Sequence, residues 1–253
     1  MTSEQQHLVA PEKASGERRF SDVPSRTHRF FKYIAMGPAL RAIGHLQVYG
    51  VENIPHSGGM ILASNHRSPI DPLYISLASP RPVYFFAKSE YWGGRGLVGR
   101  VKKWFFDNQN QIATDRSGGD AGRTAIDTAA EVIRSGCLWA VFPEGTRTPD
   151  GRMYKGHTGI ARVAAVTGVP VLPVSITGTD TIDLTSPKFF LPTEVTISFG
   201  TPIDPVPAPA DGADYDWLRS FTDATMRSLA AFSGQEYVDR YSKDFSVVGG
   251  EQR

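Results

Sequence analysis

Cysteine is almost absent from this sequence, since Cys137 is the only one in 253 residues. A single cysteine excludes an intramolecular disulfide framework and a cysteine-rich metal site, and no His/Asp/Glu cluster has metal-ligand spacing. The sequence also lacks any apolar run of the roughly 18 to 20 residues that a membrane-spanning helix requires. Its first residues, 1–16, are polar and unlike a secretory signal. These absences predict a cytoplasmic protein without a bound metal or other cofactor.

A strong charge of one sign is missing as well, because 27 Lys and Arg balance 26 Asp and Glu. We therefore predict no nucleic-acid partner. Two segments, 18–41 and 81–103, are nevertheless basic and contain aromatic residues, a combination that suits an anionic membrane surface. For 81–103, a solvated basic face beside core aromatics is an equal alternative. For 18–41 we expect membrane contact, because a helix there would combine basic residues with an apolar side.

Short apolar runs alternate with helical segments along the chain. The runs, each of strand length, lie at 60–64, 83–87, 111–114, 138–142, 171–176 and 195–199. The helical segments lie at 72–78, 96–105, 120–134, 157–167 and 215–232. This alternation predicts an α/β fold, a single layered domain with a mixed central sheet covered by helices.

The same pattern divides the chain into four segments. We predict a disordered polar tail at 1–24 and an amphipathic, membrane-associating helical segment at 25–47, broken by Gly37-Pro38. The main domain is predicted at 48–235, followed by a C-terminal tail at 236–253.

The first motif that indicates chemistry is Asn65-His66-Arg67-Ser68-Pro69-Ile70-Asp71, which follows the run at 60–64. A histidine at the end of a buried strand is well placed to act as a general base. Asp71 can fold back to hold the other ring nitrogen, which fixes the tautomer and stabilises the imidazolium. The alternative is a loop histidine beside a helix-capping aspartate.

A second motif, Phe142-Pro143-Glu144-Gly145-Thr146-Arg147, follows the run at 138–142. Ligands of α/β proteins bind at the carboxyl ends of the strands, where this motif is predicted to lie. Arg147 offers a planar fork for phosphate oxygens, and Gly145 allows the backbone to approach a ligand. The alternative is a Glu–Arg surface pair that braces a turn.

Together, and in this order, the two motifs resemble those of the lysophospholipid acyltransferase family. Between them, Ile112-Ala113-Thr114-Asp115-Arg116 is a looser match to the second of the four motifs of that family. After them, Val169-Pro170-Val171-Leu172-Pro173-Val174 resembles the fourth. The resemblance covers about residues 48–200, so it implies that the domain at 48–235 is an acyltransferase domain.

The resemblance implies transfer of a fatty acyl group from acyl-CoA or acyl-carrier protein to a lysophospholipid. The acceptor would be the free hydroxyl of 1-acyl-glycerol 3-phosphate and the product phosphatidic acid, a step of phospholipid biosynthesis. His66 would take the proton of the hydroxyl and Asp71 would orient His66. The enzyme would work as a peripheral protein on the cytoplasmic face of the cell membrane.

Seven further residues are predicted to contact substrate. Arg116 and Arg147 are expected at the acceptor phosphate, with Lys88 as a weaker candidate. We expect Glu144 to hold a hydroxyl or orient Arg147, and an oxyanion to be stabilised by Asn65 or by a neighbouring backbone N–H. The remaining two, Gly145 and Thr146, would shape the turn.

Two alternative functions stay open at this point. The same chemistry could act on another acceptor, such as a different lysophospholipid, glycerol 3-phosphate or a glycolipid. A peripheral lipid-binding protein without turnover is the other alternative, although the His66 and Asp71 pair argues against it.

Overall fold

A computed structural model describes residues 20–88, 100, 109–114, 121–182, 193–204, 212–242 and 244. Of the predicted helical segment at 96–105, only residue 100 lies within the described residues. Arg116 also lies outside them.

A seven-stranded sheet and a small two-stranded sheet form the β-structure of the described residues. The strands are β1 (Gln47–Tyr49), β2 (Met60–Ser64), β3 (Val83–Lys88), β4 (Gln111–Thr114), β5 (Leu138–Val141), β6 (Met153–Tyr154), β7 (Val171–Thr177), β8 (Thr196–Phe199) and β9 (Tyr237–Val238). The large sheet has the order β1-β8-β7-β2-β5-β3-β4. Among the described strands of this sheet, β7 and β8 are the one antiparallel pair, so the predicted mixed sheet is confirmed.

Strand β2 lies at the centre of the sheet and is buried on both faces. Met60 and Leu62 belong to one core cluster, whereas Ile61 and Ala63 belong to the other. Successive side chains of a strand point to opposite faces, so a strand covered on both sides must be apolar at every position. This requirement explains why the run at 60–64 is continuous rather than alternating.

Helices cover both faces of the sheet. They are α1 (Arg26–Phe30), continued by a π-helical turn (Phe31–Ala35), then α2 (Gly37–Gly44), α3 (Asp71–Ala78), α4 (Ala121–Arg134), α5 (Gly159–Thr167) and α6 (Tyr215–Ser233). Side chains of α2 and α3 pack in the cluster on one face, and those of α4, α5 and α6 pack on the other. The described residues therefore form the predicted α/β fold, a mixed central sheet covered by helices, and they arrange it in three layers.

The predicted tail at 1–24 is wrong for its last residues. Phe20 is buried and meets the Tyr84 ring edge to face, with ring centroids 5.4 Å apart. The Ser21 N–H donates to the Tyr84 hydroxyl, which donates in turn to the Ser21 carbonyl, both at 3.0 Å. Nothing in the polar sequence around Phe20 indicated this contact, because the partner lies in a distant strand.

The segment predicted as a C-terminal tail contains the short strand β9. β9 pairs with β6 in a parallel ladder that joins Met153 to Tyr237 and Tyr154 to Val238. Two-residue strands carry too little periodicity to be recognised in a sequence.

Within the described residues, no helix is both long and apolar enough to cross a bilayer.

Candidate active site

The parallel strands bring the motifs at 65–71 and 142–147 and the turn after β7 to one edge of the sheet. His66 follows β2, the turn at 142–147 follows β5, and a turn at 178–181 follows β7. The strand order β7-β2-β5 makes these three segments neighbours at the carboxyl ends of parallel strands. This edge is where open α/β sheets bind their ligands.

His66 and Asp71 form the pair that the first motif predicts. The His66 Nδ1 lies 2.8 Å from Asp71 Oδ2. Because a carboxylate oxygen can only accept, Nδ1 carries the proton and Nε2 carries the lone pair. The His66 side chain is 18% exposed, and no described residue forms a hydrogen bond with its Nε2. Nε2 is thus the nitrogen that can take a proton.

The Asp71 carboxylate is completely buried and accepts from both sides. Besides the imidazole, Oδ2 accepts from the backbone N–H groups of Arg67 at 2.7 Å and Ser68 at 2.8 Å. Its other oxygen, Oδ1, accepts from the Thr179 hydroxyl at 2.6 Å. Asp71 is also the first residue of α3, where the helix dipole favours a negative charge. These four hydrogen bonds give both oxygens of the buried carboxylate a partner.

Aromatic stacking and a backbone bond hold the imidazole in place. The Phe142 ring lies parallel to the His66 ring, with centroids 3.9 Å apart, and Phe85 stacks behind Phe142 at 5.9 Å. The Thr148 N–H donates to the His66 carbonyl at 2.9 Å. The second motif therefore supports the first directly.

Glu144 is a buried carboxyl beside this pair, with 3% of its surface exposed. Its Oε2 accepts from the Tyr154 N–H at 2.9 Å, whereas Oε1 has no donor in hydrogen-bond geometry among the described residues. Burial raises the pKa of Glu144 to about 7, and the backbone N–H groups of Tyr154 and His66 oppose this shift. Near neutral pH, the Glu144 carboxyl is therefore close to its midpoint of titration, with an enclosed Oε1 that lacks a described hydrogen-bond partner.

The turn at 142–147 depends on Gly145, whose φ angle is +73°. A side chain there would be strained, and a Cβ would come within 3.0 Å of the His157 ring. The Gly145 N–H closes the turn on the Phe142 carbonyl at 2.9 Å. Thr146 and Arg147 are exposed beyond the glycine, and Arg147 has no ion pair or hydrogen bond with any described residue. Its guanidinium is available for an anion.

The other predicted cationic contacts are less well defined. Lys88 is exposed at the carboxyl end of β3, paired in register with Thr114 of β4. Arg116 lies outside the described residues. The phosphate contacts of both therefore stay predictions.

Asn65 does not match its predicted role. Its Nδ2 group donates to the Ile176 carbonyl at 2.9 Å and to Gln235 Oε1 at 2.8 Å, and its Oδ1 accepts from the Ile176 N–H at 2.8 Å. Both N–H bonds are used, so this amide has no donor left for an oxyanion. Asn65 instead ties the end of β2 to β7 and to the C-terminal segment.

Two residues of the site were not found in the sequence. Thr179 follows the strand of the fourth motif and could have been suspected from the parallel pairing of β7 with β2. Gln235 joins Asn65 to the Gly151 carbonyl, to which its Nε2 donates at 2.6 Å. No local pattern marks Gln235, because its partners are distant in the sequence.

Comparison with known proteins agrees with this geometry. Residues 45–177 match the family model described as Acyltransferase. The chain is 30% identical over 173 residues to the 1-acyl-sn-glycerol-3-phosphate acyltransferase of Limnanthes douglasii, covering 68% of this chain and 59% of that protein. It is 25% identical to the Bacillus subtilis enzyme of the same name, covering 53% of this chain and 64% of that protein. The matches thus span less than two thirds of these relatives.

The fold has a counterpart among solved structures. The 1-acyl-sn-glycerophosphate acyltransferase PlsC from Thermotoga maritima superimposes with a TM-score of 0.59 at 27% identity, covering 82% of this chain and 80% of that one. The family model matches more than half of the chain and includes His66, Asp71 and the turn at 142–147. The chain therefore belongs to the Acyltransferase family.

Proposed function

We propose that the protein moves a fatty acyl group from acyl-CoA or acyl-carrier protein to the free hydroxyl of 1-acyl-glycerol 3-phosphate. The product is phosphatidic acid. The observation that carries this proposal is the His66–Asp71 pair, with the proton on Nδ1, a partly exposed imidazole and no described hydrogen bond at Nε2. The names of the relatives and of the similar structure support the choice of acceptor.

In the proposed reaction, His66 Nε2 removes the proton of the acceptor hydroxyl as its oxygen attacks the thioester carbonyl. The new ester bond forms, the carbon–sulfur bond breaks, and the proton held by His66 passes to the leaving thiolate. Asp71 stabilises the imidazolium between these two transfers. No acyl-enzyme is needed, because the acceptor itself is the nucleophile.

The acceptor phosphate is proposed to lie near the turn at 142–147. Arg147 is exposed there without a described partner, and a guanidinium binds phosphate oxygens through two parallel hydrogen bonds. Glu144, whose buried Oε1 lacks a described partner, is proposed to hold a hydroxyl of the acceptor or to orient Arg147. Arg116 and Lys88 are proposed as further cationic contacts.

The protein is further proposed to work as a peripheral protein on the cytoplasmic face of the cell membrane. Tyr33 is 55% exposed, Ile34 is 68% exposed and Phe30 is 48% exposed. Phe30 ends α1, and Tyr33 and Ile34 lie in the π-helical turn that continues it, in the same short segment as the exposed Arg26 and Arg29. Apolar side chains beside arginines suit an anionic lipid surface. We call these five residues the N-terminal surface.

A transfer assay tests the proposal. Purified protein is given labelled acyl-CoA or acyl-carrier protein with a panel of lysophospholipids, glycerol 3-phosphate and glycolipids. We expect 1-acyl-glycerol 3-phosphate to be the preferred acceptor and His66→Ala to lower kcat by at least about 10²-fold. The matched control is His56→Ala, an exposed histidine in another loop, which should keep wild-type kcat.

Three results would contradict different parts of the proposal. Full activity of His66→Ala would remove the mechanism. Preference for another acceptor would leave the mechanism and replace the substrate. Binding of lipid without any transfer would favour the non-catalytic alternative.

A further inference from the structure

The turn that follows β7 reaches the buried oxygen of Asp71. This turn contains a 3₁₀ helix, Thr179–Thr181, and lies just beyond the segment that the family model matches. Thr179 is completely buried, and its hydroxyl lies 2.6 Å from Asp71 Oδ1. All other donors to this carboxylate that the structure describes lie at Oδ2.

We propose that Thr179 is a positioning residue of the His66–Asp71 pair. The inference rests on the proposed acyl transfer, in which His66 acts as the base. The Thr179 hydroxyl fixes the plane of the Asp71 carboxylate so that Oδ2 faces Nδ1 of the imidazole. Thr179 acts through Asp71 and does not need to touch substrate.

The need for a second anchor follows from the torsion of an aspartate side chain. Rotation about the Cβ–Cγ bond is broad and roughly two-fold, so donors at one oxygen alone restrict it weakly. Thr179 supplies the donor at the other oxygen. Without it, Oδ1 would be a buried carboxylate oxygen lacking a partner, which is costly and favours rotation of the group.

The position of Thr179 is itself held by its neighbours in the turn. Gly178 has a φ angle of +86°, and a Cβ there would lie 1.8 Å from the Glu194 carbonyl oxygen. A glycine is therefore required here, because a side chain of any other residue would clash with the backbone at Glu194. The close approach of Gly178 to Glu194 fixes the position of the turn, so that the Thr179 hydroxyl lies within hydrogen-bond distance of Asp71.

An ion pair joins the same turn to the histidine loop. The Arg67 guanidinium donates from Nε at 2.9 Å and from Nη2 at 2.8 Å to the two oxygens of Asp180. This pair holds the pKa of Asp180 below its ordinary value. It is partly exposed, so its contribution to stability is small, but its bidentate geometry fixes direction. Because Arg67 also donates its backbone N–H to Asp71, loop and turn are joined on both sides of the carboxylate.

The test compares Thr179→Val, which keeps the shape and loses the hydroxyl, with Thr179→Ser, which keeps the hydroxyl. We expect Thr179→Val to lower kcat by about 10- to 100-fold with little change in KM, the size expected for a misplaced catalytic group. Thr179→Ser should retain most of the wild-type kcat. The matched control is Thr181→Val in the same turn, whose hydroxyl bonds to the Gly178 carbonyl and to Thr193 rather than to Asp71.

A spectroscopic measurement separates positioning from a purely structural role. In ¹⁵N-labelled protein, the imidazole nitrogens of His66 should show one tautomer in the wild type, with the proton on Nδ1. Thr179→Val should show a mixture of tautomers, and Thr181→Val should match the wild type. Should Thr179→Val not fold, Thr179→Ala makes the same comparison with a smaller side chain.

Wild-type kcat and a single tautomer in Thr179→Val or Thr179→Ala would overturn the proposal. So would a Thr179→Ser variant no better than Thr179→Val. A lower melting temperature with unchanged kcat per folded molecule would assign Thr179 to structure alone, which also overturns it. If the proposed function fails, the wild type itself makes no product, whereas the tautomer measurement still tests the positioning role.

Discussion

The histidine loop (residues 65–71) buries polar groups, whereas the N-terminal surface exposes large hydrophobic side chains. In the loop, buried polar groups turn inward and are bonded: Asp71 accepts from both sides, and Asn65 uses both N–H bonds. In the N-terminal segment, the aromatic ring of Tyr33 and the aliphatic side chain of Ile34 are exposed. The first arrangement holds one geometry, and the second leaves surface for a partner.

The two regions are nevertheless connected through α3. Asp71 begins this helix, and Lys32 of the N-terminal segment donates to the Ser76 and Ser79 carbonyls at its other end. Burial, together with the nearby Arg41, lowers the pKa of Lys32 to about 8. The Tyr74 hydroxyl adds a bond to the Leu40 carbonyl at 2.8 Å. The segment proposed to meet the membrane is therefore packed directly on the helix that carries the aspartate.

The largest effect is expected when the negative charge of Asp71 is removed and the N-terminal surface is left intact. Asp71→Asn retains an acceptor for Nδ1 but cannot stabilise an imidazolium by charge, so kcat should fall on the order of 10³- to 10⁴-fold. Steady-state acyl transfer measures this, and flotation with liposomes should be unchanged. Asp127→Asn, on the exposed side of α4, is the control. Normal turnover in Asp71→Asn would show that the negative charge of Asp71 does not contribute to acyl transfer.

The second variant should weaken membrane binding and leave acyl transfer intact. Replacing Tyr33 and Ile34 by serine removes two exposed apolar side chains, each contributing up to about 1.5 to 3 kcal/mol when buried. Flotation with anionic liposomes should weaken on the order of 100-fold, whereas transfer to a short-chain, water-soluble acceptor should persist. Val166→Ser, which removes an exposed apolar side chain from α5, is the control. Unchanged flotation would remove the membrane role of the N-terminal surface.

The smallest effect concerns Glu144 and tests whether the buried region carries an electrostatic cost. The pKa of Glu144 is raised from 4.5 to about 7, so between these values the folded state binds a proton that the unfolded state has released. The free energy of unfolding should therefore fall as pH rises through this window, by no more than about 3 kcal/mol. Urea denaturation from pH 4.5 to 8 measures the slope.

Glu144→Gln should flatten that slope, because the neutral amide does not titrate. Glu194→Gln, an exposed glutamate near β8, serves as the control and should keep the wild-type slope. A slope that persists in Glu144→Gln would mean that another group causes it.

Much of the fold was predictable because its signals are local. The strands at 60–64 and 138–142 were recognised from apolar runs, and helices α4 and α6 from their lengths and patterns. His66 and Asp71 were found because they lie five residues apart and their contact is made within one loop. The short strands β6 and β9 and the buried Phe20 were missed, because their partners are distant in the sequence and their own patterns are weak.

The sequence alone determined the layered α/β fold, the His66–Asp71 pair and the family resemblance. Each depends on periodicity or on spacing within a short segment, which folding preserves. Only the tertiary structure decided that Thr179 holds the second oxygen of Asp71, that Asn65 is used up in holding the loop, and that burial raises the pKa of Glu144. These outcomes depend on which strands become neighbours and on how completely water is excluded between them, and no single segment of the chain contains that information.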